Sequence, residues 1–200
     1  MADSKPTILC LHGCRQNGEI MRKKIEKLLG SRSANFICPT GNFLIEEAKD
    51  ESGTADSLAK YGWWHLPSRQ SLIDGYDYNF SETDIELIIK DLPKIDYIIG
   101  FSQGTVLATI LLGHKSLTSV KGVILMAGTD IVDSKLLFED KITVPSLSIS
   151  GIKDELASKE QTEKLASYYT NREFYEHRWG HVIVSDSTSK NQILKFYGEE

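Results

Sequence analysis

The sequence lacks several features that mark specialised protein classes. It has only three cysteines in 200 residues, so it is not one of the small domains held together by dense disulfides. It has no run of about 20 apolar residues, and a membrane span is therefore not expected. Its first residues, Met-Ala-Asp-Ser-Lys-Pro, do not follow the charged-then-apolar order of a signal peptide. These absences predict a soluble, cytoplasmic protein.

Positive charge is also scarce. The net charge is −5, and the longest basic run is Arg22-Lys23-Lys24, so nucleic acid is not expected as a partner. Cys10, His12 and Cys14 alternate, but a structural zinc site usually needs four ligands and no second pair lies nearby. We therefore expect no metal and no cofactor, and His12 is expected to pack and hydrogen-bond locally.

What is present indicates one globular α/β domain over residues 1–200. Hydrophobic residues make up 40% of the chain and charged residues 26%, both ordinary values. Apolar runs alternate with amphipathic segments, a pattern typical of a mostly parallel sheet of about six strands with helices on both faces. The strands are predicted at 7–11, 36–38, 97–101, 123–126, 147–150 and 173–177, with the last at an edge. Helices are predicted over 20–29, from 81, over 103–114, from 158 and over 187–197.

The clearest chemical motif is Gly100-Phe101-Ser102-Gln103-Gly104, which matches G-x-S-x-G. It follows an apolar strand and precedes an amphipathic helix, the context in which a serine is exposed on a tight strand-to-helix turn. Only small residues fit two positions either side of that serine. The motif predicts Ser102 as the nucleophile of an α/β-hydrolase.

A nucleophilic serine needs a base, and the base needs a carboxylate that orients it. In this fold the acid and then the histidine follow the serine along the chain. Asp154 comes after a strand and a Gly turn; the adjacent Glu155 is its rival, and Asp154 could instead be a solvated cap of the following helix. His181 lies on the loop beyond the last strand and is the expected base, with His177 as the alternative.

Two further groups of residues are predicted around this triad. The turn His12-Gly13-Cys14 ends the first strand, so the backbone N–H groups of Cys14 and Gln103 are expected to form the oxyanion hole. Residues 42–79 show no clear periodicity, and a connection this long is usually a lid, a binding loop or a disordered segment. Its aromatic Trp63-Trp64 pair is interpreted as a substrate-binding wall; packing of the loop is the alternative.

These motifs together resemble the FSH family of serine hydrolases. Leu9-Cys10-Leu11-His12-Gly13, followed by Arg15-Gln16-Asn17-Gly18-Glu19, resembles the opening of the family, and the resemblance extends over essentially the whole chain. It implies an α/β-hydrolase fold, carboxylesterase activity and the same triad of Ser102, Asp154 and His181. Cys14 and Trp179 stand where the family commonly has an aromatic and a small residue.

The predicted function is hydrolysis of small carboxylic esters through a Ser-His-Asp triad and an acyl-enzyme. An acyl thioesterase or lysophospholipid hydrolase is the near alternative. A non-catalytic ligand-binding module that retains the triad is the alternative from another class, because fold alone does not determine function.

Overall fold

A parallel sheet of six strands organises the chain. The computed structural model describes residues 5–49, 58–64, 78 and 80–198. The strands of the sheet are β1 (Thr7–Leu11), β2 (Asn35–Ile37), β5 (Tyr97–Phe101), β6 (Gly122–Met126), β7 (Ser146–Gly151) and β8 (Arg172–His177). These strands lie in the order β2-β1-β5-β6-β7-β8, and every neighbouring pair is parallel. Each lies within one residue of its predicted bounds, so the expected parallel α/β sheet is confirmed.

Burial explains the two kinds of strand in this sheet. The central strands β5 and β6 are almost continuously apolar and buried, as strands covered on both faces must be. Strand β8 carries exposed charged residues and is the last strand in the sheet order, which confirms its predicted edge position.

Helices cover the sheet on both sides and create two hydrophobic cores. They are α1 (Gly18–Leu29), α2 (Glu82–Ile89), α3 (Gln103–Gly113), α4 (Lys159–Ala166) and α5 (Ser187–Tyr197). Met21 and Ile25 of α1 share one core with Ile193 of α5, whereas Leu107 of α3 and Ile85 of α2 belong to the other. Helix α3 is buried along nearly its whole length. The sheet therefore holds the start of α3, and the residue before it, in a rigid setting.

The stretch 42–79 contains two strands that periodicity does not predict. Strands β3 (Phe43–Glu46) and β4 (Lys60–Gly62) pair antiparallel, with an irregularity between Leu44 and Glu46. Tyr61 of β4 also exchanges two backbone hydrogen bonds with Gln16, of 2.7 and 3.3 Å. These two bonds hold the hairpin against the loop that follows β1. The hairpin therefore lies at the C-terminal edge of the parallel strands, where the predicted site residues follow their strands.

Part of the predicted pocket-forming excursion, namely residues 50–57, 65–77 and 79, lies outside the described residues. None of the helices in the described part of the chain combines the length and apolar character needed to cross a bilayer.

Candidate active site

Ser102 occupies the sharp turn between β5 and α3. Its backbone has φ 51° and ψ −119°, a conformation that residues with a Cβ rarely adopt. The turn is secured by a 2.9 Å hydrogen bond from Ser102 N–H to the Met126 carbonyl, at the end of β6. Strain of this kind persists only where surrounding structure enforces it, and it is concentrated at functional sites.

The two glycines of the motif are required by close backbone approach. A Cβ at Gly104 would lie 2.1 Å from the Leu11 carbonyl oxygen, and one at Gly100 would lie 2.6 Å from the Gly104 carbonyl oxygen. No larger residue fits without moving the backbone of β1 or α3. The small residues that the G-x-S-x-G pattern specifies are therefore explained by the packing of the turn.

Asp154 and His181 meet beyond the ends of β7 and β8. His181 Nδ1 lies 2.9 Å from Asp154 Oδ2 and 3.1 Å from Oδ1, and the Asp154 side chain is fully buried. Oδ1 also accepts backbone N–H bonds from Leu156 and Ala157. The local turn role considered for Asp154 is thus present together with the contact to His181.

The two rival residues are placed differently. Glu155 is exposed. His177 is buried at the end of β8, where its Nδ1 accepts a 3.3 Å hydrogen bond from Trp179 N–H, and burial lowers its pKa. Neither residue lines the cavity at Ser102, whereas His181 does. Among the described residues Ser102 Oγ makes no hydrogen bond to His181; such bonds often tighten only when substrate is present.

Cys14 and Gln103 line the same cavity as Ser102. In the described part of the chain neither backbone N–H donates a hydrogen bond. Gln103 N–H is also at the start of α3, where the helix dipole favours negative charge.

His12 stabilises the loop that contains Cys14 through two hydrogen bonds of its ring. Its Nε2 accepts a 2.9 Å hydrogen bond from Gly41 N–H, so the proton is on Nδ1, which donates to the Gly13 carbonyl at 2.8 Å. Complete burial lowers the pKa of His12 to about 4, and the ring is therefore neutral at pH 7. The local bond matches the expectation, whereas the tie to Gly41 connects the loop to a distant segment.

The two tryptophans have different surroundings. Trp63 stacks on His12 and donates from Nε1 to the His12 carbonyl at 2.8 Å. Trp64 stacks on Tyr78 with ring centroids 4.4 Å apart and lines the cavity, which Trp63 does not. The Gln103 side chain joins both, accepting from Trp63 N–H and donating to the Trp64 carbonyl.

The cavity beside Ser102 has a volume of about 470 Å³, within the range of small-molecule sites. Several of its lining residues have no motif to identify them in the sequence. Tyr78 comes from the irregular stretch, Val106 carries only a core pattern, and Lys24 belongs to a basic run that resembles any solvated helix face. Only the three-dimensional fold brings them to Ser102.

The chain matches the serine hydrolase (FSH1) family over residues 1–193. It belongs to this family. The chain is 27% identical to Esterase CG5412 of Drosophila melanogaster over 96% of its own length and 74% of the relative. It is 28% identical to Esterase OVCA2 of Xenopus tropicalis, over 94% and 90% of the two lengths. As a member of this family, the chain is a serine hydrolase.

Solved structures confirm the α/β-hydrolase fold of the chain. A carboxylesterase from Mesorhizobium loti superposes with a TM-score of 0.71 at 13% identity, covering 99% of this chain and 90% of the other. The Bacillus cereus carboxylesterase gives 0.64 at 18% identity, covering 98% and 88%. At these identities the likeness concerns the fold.

Proposed function

We propose that this protein hydrolyses small carboxylic esters through a triad of Ser102, His181 and Asp154. The observation that carries the proposal is the 2.9 Å contact between His181 Nδ1 and the buried Asp154 carboxylate, in a cavity that Ser102 also lines. A carboxylate at Nδ1 holds the proton on that nitrogen, so Nε2 is left as the acceptor for the serine proton.

The proposed reaction proceeds in two acyl-transfer steps. Ser102 Oγ attacks the ester carbonyl carbon while its proton passes to His181 Nε2. The tetrahedral intermediate collapses, the bond to the alcohol oxygen breaks, and the alcohol leaves with the proton from Nε2. Water then attacks the acyl-enzyme, gives a proton to Nε2, and the carboxylic acid departs as Ser102 regains its proton.

We assign the oxyanion hole to the backbone N–H groups of Gln103 and Cys14. Their free donors and the start of α3 favour the negative charge that develops on the carbonyl oxygen. Loss of one such donor costs about 3 kcal/mol in serine hydrolases. The Cys14 thiol has no part in this step, and burial raises its pKa.

We assign substrate contact to Trp64 and a supporting role to Trp63. Trp64, Tyr78, Phe101 and Val106 give the cavity an apolar wall for a hydrocarbon portion of the ester. Trp63 contacts the site through His12, by ring stacking and by the bond to its carbonyl, and through the Gln103 side chain.

The test is covalent labelling with a fluorophosphonate, combined with hydrolysis of p-nitrophenyl esters. We expect Ser102→Ala to abolish labelling and reduce kcat to a residual level, with an unchanged melting temperature. Ser187→Ala, at an exposed serine on α5, is the matched control and should behave as wild type. Labelling that survives in Ser102→Ala would place the nucleophile elsewhere. If the wild type shows neither labelling nor turnover, a non-catalytic ligand-binding module is favoured. A thioester tested beside each ester measures thioesterase activity.

A further inference from the structure

Lys24 of helix α1 brings a positive charge to the wall of the cavity at Ser102. It is half-buried and lines that cavity. Its Nζ lies 5.6 Å from the ring centroid of Phe101, the residue directly before Ser102. Lys24, Phe101 and Ser102 line the same cavity, so an ester bound at the nucleophile shares that cavity with the ammonium group.

The other charged residues of the described cavity wall, Arg15 and Asp130, each have an ion-pair partner. Arg15 pairs with Glu46, which also pairs with Lys60, and Asp130 pairs with Lys164 at 2.5 Å. Within the described ranges of the chain, no carboxylate lies within ion-pairing distance of Lys24 Nζ. Among the described residues that line the cavity, the charge without an ion-pair partner is therefore the positive charge of Lys24.

Keeping this ammonium group in the wall has an energetic cost. Burial lowers the pKa of Lys24, because a partly desolvated ammonium is less favourable than one in water. The ring of Phe101 offsets part of that cost through its negative face. A carboxylate would offset more, because hydrogen bonds between oppositely charged groups are the strong ones.

We propose that this hydrolase prefers esters that carry a carboxylate a few bonds from the scissile carbonyl, and that Lys24 binds this carboxylate. The inference rests on the proposed ester hydrolysis and adds its substrate class. The carboxylate could belong to the acyl part or to the alcohol part of the ester, and Lys24 could recognise it from either.

Two matched substrate pairs separate these sources. Monomethyl glutarate and methyl pentanoate differ by a carboxylate on the acyl part. The compounds 4-acetoxybenzoate and its methyl ester differ by a carboxylate on the alcohol part. The quantity measured is the ratio of kcat/KM between the anionic and the neutral member of each pair, which cancels any general effect of a substitution on turnover.

In the wild type we expect a ratio above one for at least one pair. Lys24→Met keeps the apolar stem and removes the charge, and it should lower that ratio about tenfold. Lys24→Arg should retain most of it. Lys23→Met is the matched control, because Lys23 is on the same helix but pairs with Glu19 at 2.7 Å, and it should leave the ratio unchanged.

Salt provides a second readout that a structural role for Lys24 would not produce. Raising the ionic strength from about 0.05 M to about 0.5 M should reduce the wild-type ratio and leave that of Lys24→Met unaffected. The inference is overturned if Lys24→Met and wild type share one ratio, or if the neutral ester is preferred in both pairs. If either result is obtained while neutral esters are still hydrolysed, the proposed ester hydrolysis is unaffected. If the wild type hydrolyses no ester and is not labelled by the fluorophosphonate, the proposed function itself is refuted.

Discussion

Replacing Trp63 and Trp64 one at a time by phenylalanine should separate the two roles assigned to this pair. Trp63→Phe removes the Nε1 donor that satisfies the buried His12 carbonyl at 2.8 Å. Leaving a buried acceptor without a partner costs about 1–3 kcal/mol. In a protein of this size each kcal/mol lowers the melting temperature by roughly 2–4 °C, so a loss of about 2 kcal/mol gives roughly 4–8 °C.

The kinetic consequences of the two substitutions should also differ. His12 lies two residues before Cys14, the residue assigned to the oxyanion hole. Displacement of His12 in Trp63→Phe should therefore lower kcat/KM by the same factor for every ester. Trp64→Phe preserves the aromatic stack on Tyr78 but moves back the cavity wall. Each methylene of an acyl chain gains about 0.8 kcal/mol when fully buried, so the loss in Trp64→Phe should grow with chain length.

The assay is kcat/KM for p-nitrophenyl esters from acetate to octanoate, with melting temperatures recorded for both variants. The octanoate-to-acetate preference should fall by about tenfold in Trp64→Phe, which corresponds to two methylenes. The assignment fails if Trp63→Phe loses activity selectively on long chains without a change in melting temperature. It fails equally if Trp64→Phe declines uniformly.

Two further predictions concern Asp154 and His12. Asp154→Asn should lower kcat about 10⁴-fold, because it favours the wrong tautomer of His181. Glu155→Gln, at an exposed position, should change kcat little. If steady-state kinetics give the reverse ranking, Glu155 is the acid. Burial lowers the pKa of His12 from 6.5 to about 4, so between these pH values the unfolded chain binds more protons than the folded one. The free energy of unfolding should therefore fall by about 3 kcal/mol as the pH drops from 6.5 to about 4. Denaturant titrations should show less of this fall in His12→Gln, and an unaltered pH slope would contradict the assignment.

The elements that the sequence predicts well have local signals. The central strands are short apolar runs, and the Ser102 turn is framed by glycines whose need is set by contact with β1. Asp154 and His181 were expected from their order after strands, and the structure brings them within hydrogen-bond distance.

What escaped prediction depends on contacts between distant segments. The β3–β4 hairpin has strands of four and three residues and an irregular register, so it shows little periodicity. The different surroundings of Trp63 and Trp64 depend on which ring meets His12 and which meets Tyr78. Lys24 differs from Lys23 only in the side of α1 that it occupies relative to Phe101, and no composition or spacing rule reveals that.

The positive φ of Ser102 also bears on how this protein can evolve. A residue with a Cβ held at φ 51° costs of order 1–3 kcal/mol, which glycine would largely avoid. Selection for stability alone would therefore favour Ser102→Gly, and only selection on turnover retains the serine. A lineage that no longer needed the chemistry could gain thermal stability in a single substitution, with its fold and cavity preserved for binding.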